Sequence, residues 1–198
     1  MPQQHRAKLT RRAILAAAAE EFDLIGYGAA TLSSILRRSG ITKGAFYFHF
    51  TAKEAVAEAL ARQYLVSLAE MRQRWLGRSL DPLSTLVGLS GEAARRLEHD
   101  VVLRVGQRLA GQRIGAESDG WYAVLDELVR KSAAAGQLRP GTDPAEAARV
   151  LYTALVGAYA VGDEPVGLAD RFDEIWRVVL AGVAREDWRA NPEPTDRS

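Results

Sequence analysis

The residues with the most specific chemistry lie in the segment TKGAFYFHF, near the end of the first quarter of the chain. Lys43 carries a charge that can meet a phosphate or a guanine edge, and Tyr47 carries a hydroxyl that can donate to a phosphate. Gly44 lies beside them on a helix and lets the backbone approach a duplex closely. Phe46 and Phe50 are four residues apart and share the other face, where we expect them to be buried. The pattern predicts a short helix that reads DNA.

A second short helix must hold that reading helix in place. Leu32 and Ile35 are three residues apart, so they share one face of a helix that begins after Thr31. Gly40 follows it and is expected to adopt the left-handed conformation that ends a helix without a steric penalty. The hydroxyls of Thr31 and Thr42 can cap the two helices. Together these residues predict a helix-turn-helix.

The residues from Phe22 to Glu54, FDLIGYGAATLSSILRRSGITKGAFYFHFTAKE, resemble the DNA-binding signature of the TetR family of bacterial repressors. The resemblance implies a TetR-like, all-α homodimer, with a DNA-binding head over residues 1–52 and a ligand-binding and dimerisation body over residues 53–198. The predicted DNA-binding residues are Thr31, Ser33, Thr42, Lys43, Gly44, Tyr47, His49 and Lys53. Arg11 and Arg12 of the preceding helix are further candidates for backbone contact.

Composition describes an ordinary globular protein. Of its 198 residues, 47% are hydrophobic and 26% are charged. No apolar run reaches the roughly 18 residues of a membrane span, and no signal peptide is recognisable, so we expect a cytoplasmic protein. With zero cysteines, disulfides, thiolate zinc sites and cysteine nucleophiles are excluded.

Charge is divided unevenly along the chain. Residues 1–53 contain eight basic and three acidic side chains, whereas residues 54–198 contain 18 and 22. The first segment therefore carries +5 and the second −4, which together give the net charge of +1. A positive head attracts the phosphate backbone of double-stranded DNA, as a modular DNA-binding protein requires.

Apolar periodicity and turn residues predict about nine helices, no strand, a polar arm over residues 1–7 and a frayed tail from Arg185. A capping-box spacing at Thr51 and Glu54 begins the long fourth helix. A polar loop is expected over residues 111–120. Outside the helix-turn-helix, the predicted helices cover about 8–25, 52–75, 83–97, 101–111, 121–135, 144–159 and 169–184.

The last two helices carry apolar faces broad enough to suggest a partner. Each side chain taken singly fits an internal core. As a pair, and as the family resemblance implies, these helices are predicted to form a four-helix dimer interface, with two helices from each copy. A dimer brings two recognition helices to the two halves of a palindrome. The predicted interface residues are Leu151, Leu155, Tyr159, Phe172, Trp176, Val179 and Leu180.

A narrower resemblance concerns the effector. The phrases GITKGAFYFHFTAKE and VVLRVGQRLA, followed by Trp121, are similar to the γ-butyrolactone receptors that control antibiotic production in filamentous actinobacteria. The resemblance implies that Trp121 lines a pocket for a small hydrophobic signal, whereas the residue alone also fits a plain core position. A furan or butenolide, an antibiotic or other hydrophobic compound, and no effector at all remain alternatives. Helix faces suggest further pocket walls at Leu86, Leu89, Val105, Leu109, Leu125, Tyr152 and Val156.

No catalytic site is expected. His99 is the only histidine of the body, and the sequence has no G-x-S-x-G elbow, no phosphate-binding Walker loop and no histidine pair with metal-ligand spacing. We therefore predict no catalytic residues, no metal and no cofactor, and a DNA-binding protein in place of an enzyme.

Overall fold

A computed structural model describes residues 2–114, 120–160 and 167–190 of the protein. Within these residues nine α-helices occur and no extended strand, which confirms the all-α prediction. None of the described helices combines the length and apolarity needed to cross a membrane. The helices are α1 (Pro2–Ala29), α2 (Leu32–Ser39), α3 (Lys43–His49), α4 (Lys53–Leu76), α5 (Pro82–His99), α6 (Val101–Ile114), α7 (Trp121–Ala134), α8 (Pro144–Ala160) and α9 (Leu168–Val183).

The chain forms two compact units, and the first comprises Met1–Ser67 and His99–Gly115. It holds α1 to α3, the first part of α4, and α6. Within it α1 packs against both α2 and α6. Its core is built from side chains with no solvent exposure, among them Ile14, Ile35, Phe46 and Leu60.

The first helix is longer than the sequence suggested. Residues 2–7 are helical, so the predicted polar arm is wrong. Proline is favoured in the first helical turn, because its missing N–H has no partner there anyway, and nothing between Pro2 and Ile25 breaks the helix. Gly26, with φ 78° and ψ 154°, interrupts α1 where the sequence predicted an end. One more helical turn follows before Thr31.

A close helix crossing in the first unit depends on Gly106 of α6. A β-carbon placed there would lie 2.5 Å from the carbonyl oxygen of Leu60 and 2.9 Å from Cβ of Tyr64, both in α4. Because real β-carbons do not approach backbone that closely, only glycine lets α6 lie against this part of α4.

The second unit comprises Leu68–Glu98 and Ala116–Ser198. Within it α7 packs against α8, and α8 against α9. Aspartates begin two of its helices: the Asp81 carboxylate accepts from the amide of Ser84 at 2.9 Å, and the Asp143 carboxylate accepts from the amide of Ala145 at 2.8 Å. Its core is lined by buried Trp75, Leu86, Leu89, Leu125 and Phe172.

Two boundary predictions in this part of the sequence were wrong. Helix α6 continues through Gly111 to Ile114, because glycine inside a helix costs only about 1 kcal/mol and the residues after Gly111 are compatible with a helix. The rest of the predicted 111–120 loop, residues 115–119, lies outside the described residues. The start of the predicted frayed tail is held in place: the amide of Arg185 donates to the carbonyl of Gln137 at 2.9 Å, and the Trp188 indole donates to Asp81 at 3.3 Å. Residues 191–198 of that tail lie outside the described residues.

Candidate DNA-binding surface

The turn between α2 and α3 has the caps that the sequence predicted. Thr31 and Ser34 form a reciprocal capping box: the Ser34 amide donates to the Thr31 hydroxyl, and the Thr31 amide to the Ser34 hydroxyl, each at 3.1 Å. Gly40 ends α2 in the left-handed conformation, with φ 66°, and its amide donates to the carbonyl of Leu36 at 3.0 Å. The hydroxyl of Thr42 accepts from the amide of Ala45 at 3.3 Å and begins α3.

Helix α3 is divided into a buried and an open face. Phe46 has no exposure and Phe50 is buried, with their ring centroids 6.0 Å apart. Lys43, Gly44 and Tyr47 are all exposed, as the spacing predicted. The buried phenylalanines fix the rotation of the helix, so the open face points one way. That face presents the ammonium of Lys43, the bare backbone at Gly44 and the phenol hydroxyl of Tyr47. All three suit contact with a DNA groove.

The sequence interpretation missed a fourth member of the open face. Phe48 is 80% exposed, although phenylalanine is normally covered in a folded protein. It lies four residues after Gly44 and therefore shares its side of the helix, a relation that the sequence already contained. His49, a predicted DNA-binding residue, is half-buried, and its ring meets the Phe48 ring edge-on at 5.1 Å.

Lys53 lies in a different setting from the other predicted DNA-binding residues. Its Nζ donates to the carbonyl of Tyr27 at 2.8 Å and to that of Ala30 at 2.7 Å. The same ammonium sits 4.4 Å from the centroid of the Tyr27 ring, within cation–π range. The Tyr27 hydroxyl in turn donates to Glu54 at 3.3 Å. Lys53 thus joins the start of α4 to the end of α1, which holds the helix-turn-helix between them.

Ion pairs decide which arginines near α2 remain for DNA. The Nε of Arg38 donates to Glu21 at 2.7 Å, and Nη1 of the same group to Glu20 at 3.3 Å. The hydrogen bond from Arg38 is the main reason that the pKa of Glu21 lies below its ordinary value, with Ser34 contributing next. Arg38 is therefore engaged within the protein, whereas Arg37 is exposed.

A second ionic cluster joins α1 to α6. Asp23 accepts from Arg104 at 2.8 Å and also pairs with Arg108. Hydrogen bonding from Arg104 is the largest cause of the lowered pKa of Asp23, and burial opposes it. Beside this cluster is a cavity of about 90 Å³ that is lined by Phe22, Gly26, Tyr27, Val105, Arg108 and Leu109.

The remaining predicted DNA-binding position and the candidate arginines lie on the surface of the first unit. Ser33, Arg11 and Arg12 are all exposed. The Arg11 guanidinium lies 5.1 Å from the centroid of the Phe50 ring, so it packs over the base of α3. Arg11 and His49 also line a cavity of about 450 Å³ between α1 and α4.

The predicted effector residues fall into both units. Val105 and Leu109 are buried in the first unit, whereas Trp121, Leu86, Leu89 and Leu125 are buried in the second. Tyr152 is half-buried, with its ring edge-on to Tyr122 at 5.4 Å. Val156 is 39% exposed, and its place in a pocket wall stays a prediction. The 3.6-residue periodicity shows that Val156 is near the buried face of α8, but it does not show whether a residue lies at the edge or at the centre of that face.

Most of the predicted dimer interface is buried inside one chain. Leu151, Leu155, Phe172 and Trp176 are all buried, and the indole of Trp176 donates to the hydroxyl of Ser90 at 2.6 Å. A covered side chain has little surface left to bury against a partner, so within one chain these four side chains serve the core, and their place in an interface stays a prediction. Tyr159, Val179 and Leu180 are half-buried. The exposed large apolar side chains of α8 and α9 are Val150, Val156 and Val178.

Known proteins match this chain both in the DNA-binding segment and over its whole length. Residues 14–60, which hold most of α1, the helix-turn-helix and the start of α4, match the family described as bacterial regulatory proteins, tetR family. The A-factor receptor protein of Streptomyces griseus is 33% identical over 204 residues, covering 100% of this chain and 72% of that protein. The chain belongs to the TetR family. Its likeness to these regulators thus extends well beyond the DNA-binding segment.

Solved structures match almost the whole chain. CprB from S. coelicolor A3(2) matches with a TM-score of 0.82 at 32% identity, covering 93% of each chain. A second structure of CprB holds its biological operator sequence and matches with a TM-score of 0.77. A complex of SmeT with triclosan matches with a TM-score of 0.75 at 26% identity, covering 94% of this chain and 98% of that one. Relatives of this fold therefore include both an operator complex and a small-molecule complex.

Proposed function

We propose that this TetR-family protein is a transcriptional repressor that binds a palindromic operator as a homodimer and is released by a small γ-butyrolactone-like signal. The observation that carries the DNA-binding part is the open face of α3, which is held outward by two buried phenylalanines. In this proposal residues 1–52 bind DNA, and residues 53–198 bind the effector and the second copy.

The first step is entry of α3 into the major groove. Residues at the start of a recognition helix contact base edges, and here those residues are Lys43 and Gly44. Tyr47 follows one turn later and can donate to a phosphate. The excess of positive charge in residues 1–53 favours this approach, because the phosphate backbone supplies much of the affinity of such proteins.

The second step is pairing of two copies. Helix α3 has seven residues and is about 10 Å long, so a single copy contacts only a few base pairs. Two copies related by a dyad read two half-sites and gain the affinity and specificity that a promoter requires. We propose that the exposed valines of α8 and α9, with half-buried Tyr159, Val179 and Leu180, supply the contact between copies.

The third step is effector binding, which rests on the second unit. Trp121 is buried at the start of α7, and an indole offers a broad apolar wall and one N–H donor. A pocket with such a wall suits a compound with an acyl chain and a polar ring. A solved γ-butyrolactone receptor that is 30% identical to this chain, with a TM-score of 0.82 over 91% of each chain, supports a γ-butyrolactone as the effector. Operator DNA is released if the effector binds best to a state of the dimer in which the distance between the two α3 helices differs from that between successive major grooves.

A second effector class has its own support. The SmeT structure that resembles this chain contains triclosan, a hydrophobic aromatic compound. An antibiotic or other hydrophobic molecule is therefore the alternative effector. Release of operator DNA by members of one class, at concentrations at which the other class has no effect, distinguishes the two.

Selection of binding sites from a randomised duplex pool tests the DNA-binding proposal. We expect a palindrome with half-sites about one helical turn apart, bound by an even number of subunits as judged from the mass of the complex. Tyr47→Ala should weaken binding to that site while the protein stays folded, with only a small fall in Tm, because the Tyr47 side chain is 48% exposed and its ring also packs edge-on against Phe46 at 5.6 Å. Failure to enrich any sequence would contradict the proposal.

A further inference from the structure

Phe48 is the most exposed large apolar side chain in the part of the chain that the structure describes. Its exposed fraction of 80% compares with 48% for Tyr47 on the same helix, whereas Phe46 is completely buried. An apolar ring of this size gains free energy when it leaves water, so a complex that covers the open face of α3 would be stabilised by burying it.

The position of Phe48 on the helix directs its ring toward the open part of that face. Side chains of an α-helix lean toward the N-terminus, over the turn that precedes them. For Phe48 that turn contains Gly44, and a β-carbon placed on Gly44 would meet nothing within 4 Å. No side chain covers the backbone at Gly44, so a base edge can approach the helix closely on the same side as the exposed Phe48 ring. The His49 ring contacts the Phe48 ring edge-on, with 5.1 Å between centroids.

We propose that Phe48 reads operator sequence by contacting the C5 methyl group of a thymine in the major groove. The inference rests on the DNA-binding function proposed above. A phenyl ring has no donor or acceptor for phosphate oxygens or for the polar edges of adenine, guanine and cytosine. Thymine is the one base whose major-groove edge presents a methyl group, so it is the partner that an apolar side chain can distinguish.

Replacing thymine by deoxyuridine removes only that methyl group and leaves base pairing unchanged. Full-length protein is titrated against the selected palindrome and against duplexes in which each thymine position is replaced in both half-sites. Burial of one methyl group corresponds to about 0.8 kcal/mol, which is a factor of about four per half-site. At one thymine position we expect wild-type affinity to fall by about fifteenfold, and at the others by less than twofold.

The same scan with Phe48→Ala closes a double-mutant cycle. If the ring contacts the methyl group, Phe48→Ala binds the thymine and deoxyuridine duplexes within twofold of each other at that position. Phe48→Leu keeps an apolar contact and should retain most of the methyl dependence. Leu24→Ala is the matched control: Leu24 is 72% exposed in α1 of the same unit, and its truncation should leave both the affinity and the methyl dependence unchanged.

Three results would overturn the assignment. One is a wild-type affinity that does not change when any thymine is replaced by deoxyuridine, or a selected site that contains no thymine. Another is equal methyl dependence in wild type and Phe48→Ala, which would assign the methyl contact to a different side chain. The third is failure to select any operator, which would remove the proposed function together with the inference. Selection of an operator without coupling to Phe48 would remove the inference alone.

Discussion

Lys53 gives the sharpest distinction between a side chain that touches DNA and one that positions the reading helices. Replacing it by methionine keeps the length and the apolar stem but removes the ammonium. Two charge-assisted hydrogen bonds, to the carbonyls of Tyr27 and Ala30, and the contact with the Tyr27 ring are then lost. Hydrogen bonds from well-buried charged groups contribute about 1.5 to 3 kcal/mol each, but Lys53 is only half-buried, so we take about 1 kcal/mol for each of the two bonds.

We therefore expect Lys53→Met to lower the free energy of unfolding by about 2 kcal/mol. For a protein of this size that loss lowers Tm by roughly 4 to 8 °C. Thermal unfolding followed by circular dichroism measures it. Operator affinity should also fall, because the end of α1 and the start of α4 no longer hold the helix-turn-helix in one position.

The salt dependence of operator binding separates this explanation from a phosphate contact. Each neutralised phosphate adds about 0.9 to the slope of log K against log salt concentration. A positioning residue leaves that slope unchanged, whereas a phosphate contact made by both subunits would reduce it by about 1.8. Lys43→Met is the matched control, since Lys43 is exposed on α3: it should keep Tm and reduce the slope. An unchanged Tm together with a reduced slope for Lys53→Met would refute the positioning role.

Three further predictions follow from particular contacts. Trp121→Ala should weaken release by the effector while operator affinity stays nearly intact, as a gel-shift titration measures; equal loss of both activities would mean that Trp121 is a plain core residue. Gly106→Ala should destabilise the protein by about 1 to 3 kcal/mol in urea unfolding, because its β-carbon would meet Leu60 backbone; an unchanged midpoint would contradict the close crossing. Asp23, whose pKa is lowered by Arg104, should contribute stability above its ordinary pKa of 3.8 and lose it as pH falls through the lower folded value. The stability difference between wild type and Asp23→Asn should accordingly be constant near neutral pH and shrink below about pH 4; a difference that grows on acidification would refute the ion pair.

The helix-turn-helix could be predicted from the sequence because its determinants are local. The caps at Thr31 and Thr42, the left-handed turn at Gly40 and the burial of Phe46 and Phe50 depend on residues within four positions of one another. Local hydrogen bonding decides the caps and the turn, and helical periodicity shows that Phe46 and Phe50 share one face, whatever element covers that face.

Features that depend on distant residues were less predictable. Periodicity shows that Leu151 and Trp176 face an apolar surface, but a core and an interface produce the same pattern, and the structure covers both residues within one chain. Lys53 meets the carbonyl of Tyr27, which is 26 positions away, so its partner could not be read from spacing. Phe48 was missed for another reason, because a phenylalanine is ordinarily assigned to a core.

Effector release is the central claim, and one titration tests it most directly. The protein is bound to a labelled duplex from the region upstream of its own gene, and synthetic γ-butyrolactones are added while the shifted band is measured. We predict that the band disappears with a saturable dependence on a butyrolactone and reappears when the compound is removed, with the protein still dimeric. A band that persists at saturating butyrolactone but disappears with an antibiotic would replace the proposed effector class. A band that no compound or culture extract releases would contradict the ligand-released repressor itself.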